Sequence, residues 1–274
     1  MRLAGCAVRT WITSAGALAG ALCISAATAH ATPEMVLVPA GAFEMGNAER
    51  AADERPPHRI SLAAFLIDRL PVSNSQFAEF LEAAGPRAPD GARYFDDDDA
   101  DARIHRRRGR WRTDDDFGEH PVVEVSWLGA AAYCAWRGKR LPSEAEWEKA
   151  ARGTESGRFP WGDEAPDATR ARFGAGWNET APVGSHARGA SPYGALDMAG
   201  NVWQWVSSAY RPYPYSATDG REDPAPGPVR GTRGGGHDSP AAHLVVTHRG
   251  LGLSRNPAAG HHNIGFRCAK DAGR

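Results

Sequence analysis

The residues best suited to chemistry lie close together near the C-terminus. His237, Asp238, His243, His248, His261 and His262 include half of the 10 histidines in the chain. Imidazoles beside a carboxylate suit Fe(II), Cu(II) or zinc. Their spacing matches no recognised ligand motif, and surface loops also tolerate histidine, so the identity of any catalytic metal is unknown. A metal-free role is equally open, with Asp238 or His237 as acid or base and Arg249 holding a carboxylate. A second group of charges comes earlier. Asp96 to Asp99 is an unbroken acidic run, followed by Arg106 to Arg108 and Asp114 to Asp116. Such blocks make a cation site or an acidic interaction loop, or else a solvated, poorly packed insertion whose opposite charges screen each other. Residues 85–119 are expected to be the latter.

The elements that must position these groups are short. Met35 to Gly46 reads as two strands around a turn, and Arg59 to Asp68 as another strand. Ser73 can cap a helix through about Ala84, with Phe77, Phe80, Leu81 and Ala84 on one face. Trp111 is the expected anchor at the end of the charged insertion. His120 to Val125 reads as a strand. Ser126 then caps a helix carrying Ala130, Ala131, Cys134 and Ala135. Ser143 followed by Glu146 is a capping box, and its helix should end near Gly153. Phe159-Pro160-Trp161-Gly162 makes a rigid aromatic turn. Pattern alone indicates α+β.

The chain has 274 residues, 24% charged and 42% hydrophobic, enough for one large core or two small ones. A formal net charge of -1 gives no reason to expect nucleic acid or an anionic membrane as partner. The N-terminus has a positive start at Arg2 and Arg9, an apolar stretch from Trp11 to Ala27, and the small residues Ala29 and Ala31. This reads as a signal peptide over 1–31, cut after Ala31, leaving a mature chain over 32–274 that is periplasmic or secreted. The apolar stretch falls short of the ~20 residues a spanning helix needs, so no stable membrane insertion is expected after cleavage. Cys6 and Cys23 leave with the signal. Cys134 and Cys268 remain, as one disulfide or as two separate buried thiols.

Several phrases together carry a resemblance. They are Leu141-Pro142-Ser143-Glu144-Ala145-Glu146-Trp147-Glu148, Pro160-Trp161-Gly162, Gly194 to Trp205, Arg233-Gly234-Gly235-Gly236 and Gly265-Phe266-Arg267-Cys268. In this order they resemble the formylglycine-generating enzyme, or sulfatase-modifying factor, family. The resemblance covers nearly the whole mature chain and is weakest over 85–119 and 206–228. It implies one mixed α+β domain, related to C-type lectins and rich in irregular structure. It also implies a disulfide between Cys134 and Cys268, whereas the second family bridge would fall on Ala151 and Arg249 and is absent. A family calcium turn matches the side chains of Asp197 and Gln204 and the carbonyls of Gly200 and Val202, so a structural calcium is expected there. A further family calcium site uses a carboxylate matching Glu54.

The cysteine pair that holds copper in the family falls on Ser239 and Leu244. Neither supplies the thiolate that Cu(I) prefers. Conventional formylglycine generation is therefore the least favoured function. The chain is most similar to exported, cysteine-deficient members, such as those for pyoverdine maturation or accompanying nitrite reductase. The resemblance implies a maturation or tailoring factor, an oxidoreductase of altered mechanism, acting on a peptide-like or protein substrate. The cleft would be lined by Trp203, His237, Asp238, Ser239, His243 and Arg249, with His248 also contacting substrate. The alternative is a non-catalytic binding module on the same scaffold. Convergence of His237, Asp238, His243 and His248 into one pocket would favour catalysis.

Overall fold

The computed structural model describes residues 35–155, 157–225, 227–250 and 256–273. The expected signal peptide and its cleavage site lie outside the described residues. Two strands, β1 (Met35–Val38) and β2 (Gly41–Met45), open the domain and part at once into different sheets. β1 pairs with β4 (Phe65–Asp68), which also pairs with the last strand, β10 (Ala269–Asp271). β2 pairs with β3 (His58–Leu62). The stretch expected as one strand from Arg59 to Asp68 is therefore two, serving two sheets.

The helices begin where their caps lie. In α1 (Asn74–Ala84) the Ser73 hydroxyl accepts from Gln76 N at 3.4 Å, and the Gln76 side chain accepts from Ser73 N at 3.1 Å. Such a cap contributes about 1 kcal/mol. Phe77, Phe80 and Leu81 are buried, whereas Ala84 is exposed in the last turn before Gly85. Ser126 caps α2 (Trp127–Trp136), and the Ser143–Glu146 box caps α3 (Glu144–Arg152). Phe77 packs against Phe95, Tyr133 and Phe266, joining α1, α2 and the C-terminal strands.

Two expectations are corrected. His120 to Val125 is not a strand. Only isolated bridges form, Ser73 to Pro121 and Phe95 to Val125. Pro121 has no N–H to give a ladder, and Glu124 at φ 57° turns the backbone out of the extended region. The charged insertion is not poorly packed. Its β5 (Ile104–Arg107) and β6 (Arg110–Thr113) form a hairpin, and β6 lies against α1. Phe95, Ala102 and Ile104 are buried in the main core, with Trp111 packed beside them. Its charges pair locally, Arg93 with Asp96 and Asp98, and Arg107 with Asp114.

The sheet that builds the site has β7 (Trp203–Ala209) at its centre. β8 (Arg230–Arg233) runs antiparallel on one side, and β9 (Ile264–Phe266) runs parallel on the other. Just beyond β9, Cys268 is bonded to Cys134 of α2, with Cα atoms 5.6 Å apart and 134 residues between them in sequence. Closing a loop of that length restricts the unfolded chain by about 4–5 kcal/mol in the entropy model. Among the described residues no helix is long and apolar enough to cross a membrane.

Candidate functional site

Trp203, the first residue of β7, is the pivot of the site. Its N–H donates to Asn263 O at 2.8 Å, next to the start of β9. The indole is packed against two glycines. A Cβ on Gly236 would come within 3.1 Å of Trp203 Cδ1, and one on Gly250 within 2.8 Å of Trp203 Cζ3. Any larger residue at either position would displace the ring, so the glycines after β8 serve this packing.

On one flank the loop after β8 carries His237 and Asp238. His237 is fully buried, and its Nδ1 lies 3.1 Å from Asn201 O. A carbonyl oxygen only accepts, so Nδ1 carries the proton and Nε2 is left with a bare lone pair. Nε2 has no partner among the described residues. Burial holds the imidazole below its usual range, so the ring is neutral near pH 7. Asp238 Oδ2 accepts from Asn263 Nδ2 at 3.0 Å and faces His262 Nε2 at 3.2 Å. Asp238 Oδ1 and Asn263 Oδ1 are likewise buried and without a donor. His262 stacks on Trp177 with ring centroids 3.5 Å apart. Three buried acceptors thus have no donor among the described residues, which costs free energy until a donor is supplied.

On the other flank His243 and His248 stack face to face, 4.4 Å between centroids. Each ring also meets Trp203, at 5.9 and 5.7 Å. His248 Nδ1 lies 3.6 Å from Glu54 Oε1. Glu54 is fully buried. Burial opposes its charge, but contacts with His248, Thr247 and Arg50 overcome this and lower it to about 2. Burial, with the neighbouring His248, holds His243 below the ordinary imidazole range. Both histidine groups come from the connection between β8 and β9, and His243 and His248 are the pair that meets Trp203.

Other expected residues have different work. Ser239 Oγ accepts from Gly236 N at 3.0 Å, and Ser239 N donates to Gly236 O at 3.1 Å, so Ser239 holds the turn that presents His237. Leu244 is buried with Phe159, Ala171, Ala199 and Val245. Arg249 is not available for a substrate carboxylate. Its Nε and Nη2 donate to the two Glu144 oxygens at 2.7 and 3.0 Å, and Nη1 and Nη2 also donate to Asp53 O and Arg211 O. Among the described residues, three His, Cys, Asp or Glu donors converge only at Asp99, Asp101 and Glu124. The histidines between 237 and 262 make no such set.

The expected calcium turn does not fit a cation at Gln204. Its Oε1 accepts from Trp147 Nε1 at 2.9 Å and from Arg267 Nε at 2.7 Å, which uses both lone pairs. The amide nitrogen therefore faces the turn and donates to Asp197 O at 2.6 Å. Arg267 Nη2 takes the same carbonyl at 3.1 Å, along with Leu196 O. Asp197 Oδ2 accepts from Gly184 N at 2.7 Å. The Gln204 side chain thus presents N–H rather than oxygen to the Asp197 carbonyl.

Trp177, Asn263, Asp99, Asp101 and Glu124 were not among the residues expected to form a site. One signal for Asn263 was available. It immediately precedes the strand beside β7, and β7 begins at Trp203.

A solved structure of PvdO from Pseudomonas aeruginosa has the same architecture. It matches with a TM-score of 0.69 and 30% identity, over 88% of this chain and 95% of that one. This defines a fold of the formylglycine-generating-enzyme type. The model of the sulfatase-modifying factor enzyme 1-like domain matches residues 22–272, and the chain belongs to that family. The formylglycine-generating enzyme of Streptomyces coelicolor is 37% identical over 295 residues, covering 90% of this chain and 92% of its own length. The serine/threonine-protein kinase Pkn1 of Chlamydia trachomatis serovar L2 is 40% identical over 246 residues. That match takes 87% of this chain but spans only 38% of the kinase.

Proposed function

We propose that this protein is an exported maturation or tailoring factor that acts on a peptide-like or protein substrate beside Trp203, without the copper-binding cysteine pair of its family. The observation that carries this reading is the bare acceptor set of His237 Nε2, Asp238 Oδ1 and Asn263 Oδ1. A substrate N–H or O–H would satisfy these atoms, and the neutral His237 is the group poised to take its proton. The half-buried, stacked His243–His248 pair offers aromatic surface for the rest of a peptide, with the buried Trp203 packed against it. Oxidation is the reaction class that membership of the family favours. The residues at 239 and 244 cannot carry it by thiolate chemistry. The test is comparative mass spectrometry of exported peptides from cells with and without the protein. A defined mass change that requires the protein supports tailoring.

A second reading has one observation in its favour. His243 and His248 stack beside Trp203, His237 meets His262, and His261 lies by Trp205, so the histidines are not gathered in a single pocket. A non-catalytic peptide-binding module would need no more than this. It would bind its partner in stoichiometric amounts and leave the partner's mass unchanged.

A further inference from the structure

Glu124 is only 3% exposed, yet its carboxylate has no hydrogen-bond or ion-pair partner among the described residues. The backbone around it is clamped. Glu124 N donates to His261 O at 3.1 Å, and Glu124 O accepts from Asp96 N at 3.0 Å. A Cβ on Gly260 would fall 2.4 Å from Glu124 C, so the two segments are in close contact. This left-handed residue therefore points its carboxylate in a set direction. It points at two others. One oxygen each of Asp99, Asp101 and Glu124 lie within 4.8 Å of one another.

The two partners are also held. Asp101 Oδ2 accepts from Trp177 Nε1 at 2.9 Å, and its Oδ1 accepts from Asn178 Nδ2. Asp99 Oδ1 accepts from Asp101 N at 2.8 Å. The nearby Arg93 is taken up by Asp96 and Asp98 and does not neutralise them. Burial, then the charges of Asp99, Asp96 and Asp101, push the Glu124 carboxyl up to about 8. Like charges gathered on fixed backbone, with no cation paired to them among the described residues, are arranged for a cation to be added.

We infer that Asp99, Asp101 and Glu124 form a binding site for a hard divalent cation, calcium in the first instance. The donor set is oxygen alone, which excludes the preferences of copper and zinc and suits calcium. Asp99 is exposed, so water can complete the shell from that side. The ion would tie the charged insertion to the segment before α2, whose Glu124 backbone is in turn bonded to His261. Through Asp101, Trp177 and His262 it would also set the position of Asp238. This inference does not depend on the function proposed above.

Terbium luminescence tests it on the purified protein, since terbium occupies calcium sites and Trp177 beside Asp101 would sensitise it. The expected result is a saturable signal displaced by calcium. Glu124→Gln and Asp99→Asn, each checked for folding by circular dichroism, should weaken terbium binding by about tenfold or more, as removal of a charged ligand does. Asp197→Asn should leave it unchanged. The inference is overturned by the absence of a saturable signal, by wild-type binding in both Glu124→Gln and Asp99→Asn, or by loss confined to Asp197→Asn, which would place the ion in the family turn.

Discussion

Arg267 Nε and Gln204 Oε1 lie 2.7 Å apart, and this contact, with that of Trp147, decides which way the amide faces. The amide nitrogen is left to meet Asp197 O in the turn expected to hold calcium. Gln204→Glu would set an anionic oxygen against that carbonyl. Its stability in chelator should fall by about 2 kcal/mol, the cost of an unsatisfied buried acceptor. Calcium should restore much of it. Thermal melts of the variant with calcium and with chelator check this. A wild-type calcium response that vanishes in Asp197→Asn would contradict it.

Arg249 is part of a buried ion network with Glu144, Arg233 and Glu148. Arg249→Ala leaves the Glu144 carboxylate short of its best partner and should cost about 3 kcal/mol of stability. Urea denaturation should show the loss. A variant with wild-type stability and weakened substrate binding would instead restore Arg249 to a substrate role.

His237 gives a pH signature. Its folded-state ionisation lies below the unfolded value of 6.5 because burial disfavours the charged ring. The neutral ring's contribution to stability is therefore complete above pH 6.5 and is lost as pH falls through the lowered folded value. Melting temperatures measured from pH 8 to 5 should decline on the acid side, and His237→Gln should remove part of that decline. His120, His243 and His261 are lowered in the same direction and supply the rest. Identical slopes for wild type and His237→Gln would show that the ring is not held neutral by burial.

Copper chemistry should be absent. A sulfatase-type cysteine peptide incubated with the protein and copper should yield no aldehyde by mass spectrometry. Restoring the pair with Ser239→Cys and Leu244→Cys should create Cu(I) affinity, because two thiolates form a soft site. Turnover need not follow. Copper-dependent aldehyde production by the unmodified protein would assign metal binding to other residues, the His237, His243 and His248 group first.

What was legible in the sequence was local. The caps at Ser73, Ser126 and Ser143 are set by residues within one helical turn, and all three helices begin where expected. The disulfide followed from the family resemblance. The strand expected from His120 to Val125 failed because its apolar residues signal burial, while the left-handed Glu124 turns the chain for a contact with His261, far away in sequence. The packing of the charged insertion was hidden because Phe95, Ala102 and Ile104 are single apolar residues scattered among charges. At the site, the sequence drew attention to His237, Asp238 and Trp203, but it did not show what holds Ser239 and Arg249. Their partners, Gly236 N and Glu144, are set by the turn and by a helix about a hundred residues earlier.

The central claim is that His237 and Asp238 carry the protein's action. The most direct measurement is mass spectrometry of exported peptides from cells lacking the protein, complemented in turn with wild type, His237→Gln, Asp238→Asn and Ser239→Ala. Wild type should restore the mass change, and Ser239→Ala should restore most of it if the variant folds. His237→Gln and Asp238→Asn, present at wild-type levels, should reduce it by about a hundredfold, the usual scale for a lost acid–base group. Full restoration by both of those variants would contradict the account and assign the chemistry to other residues.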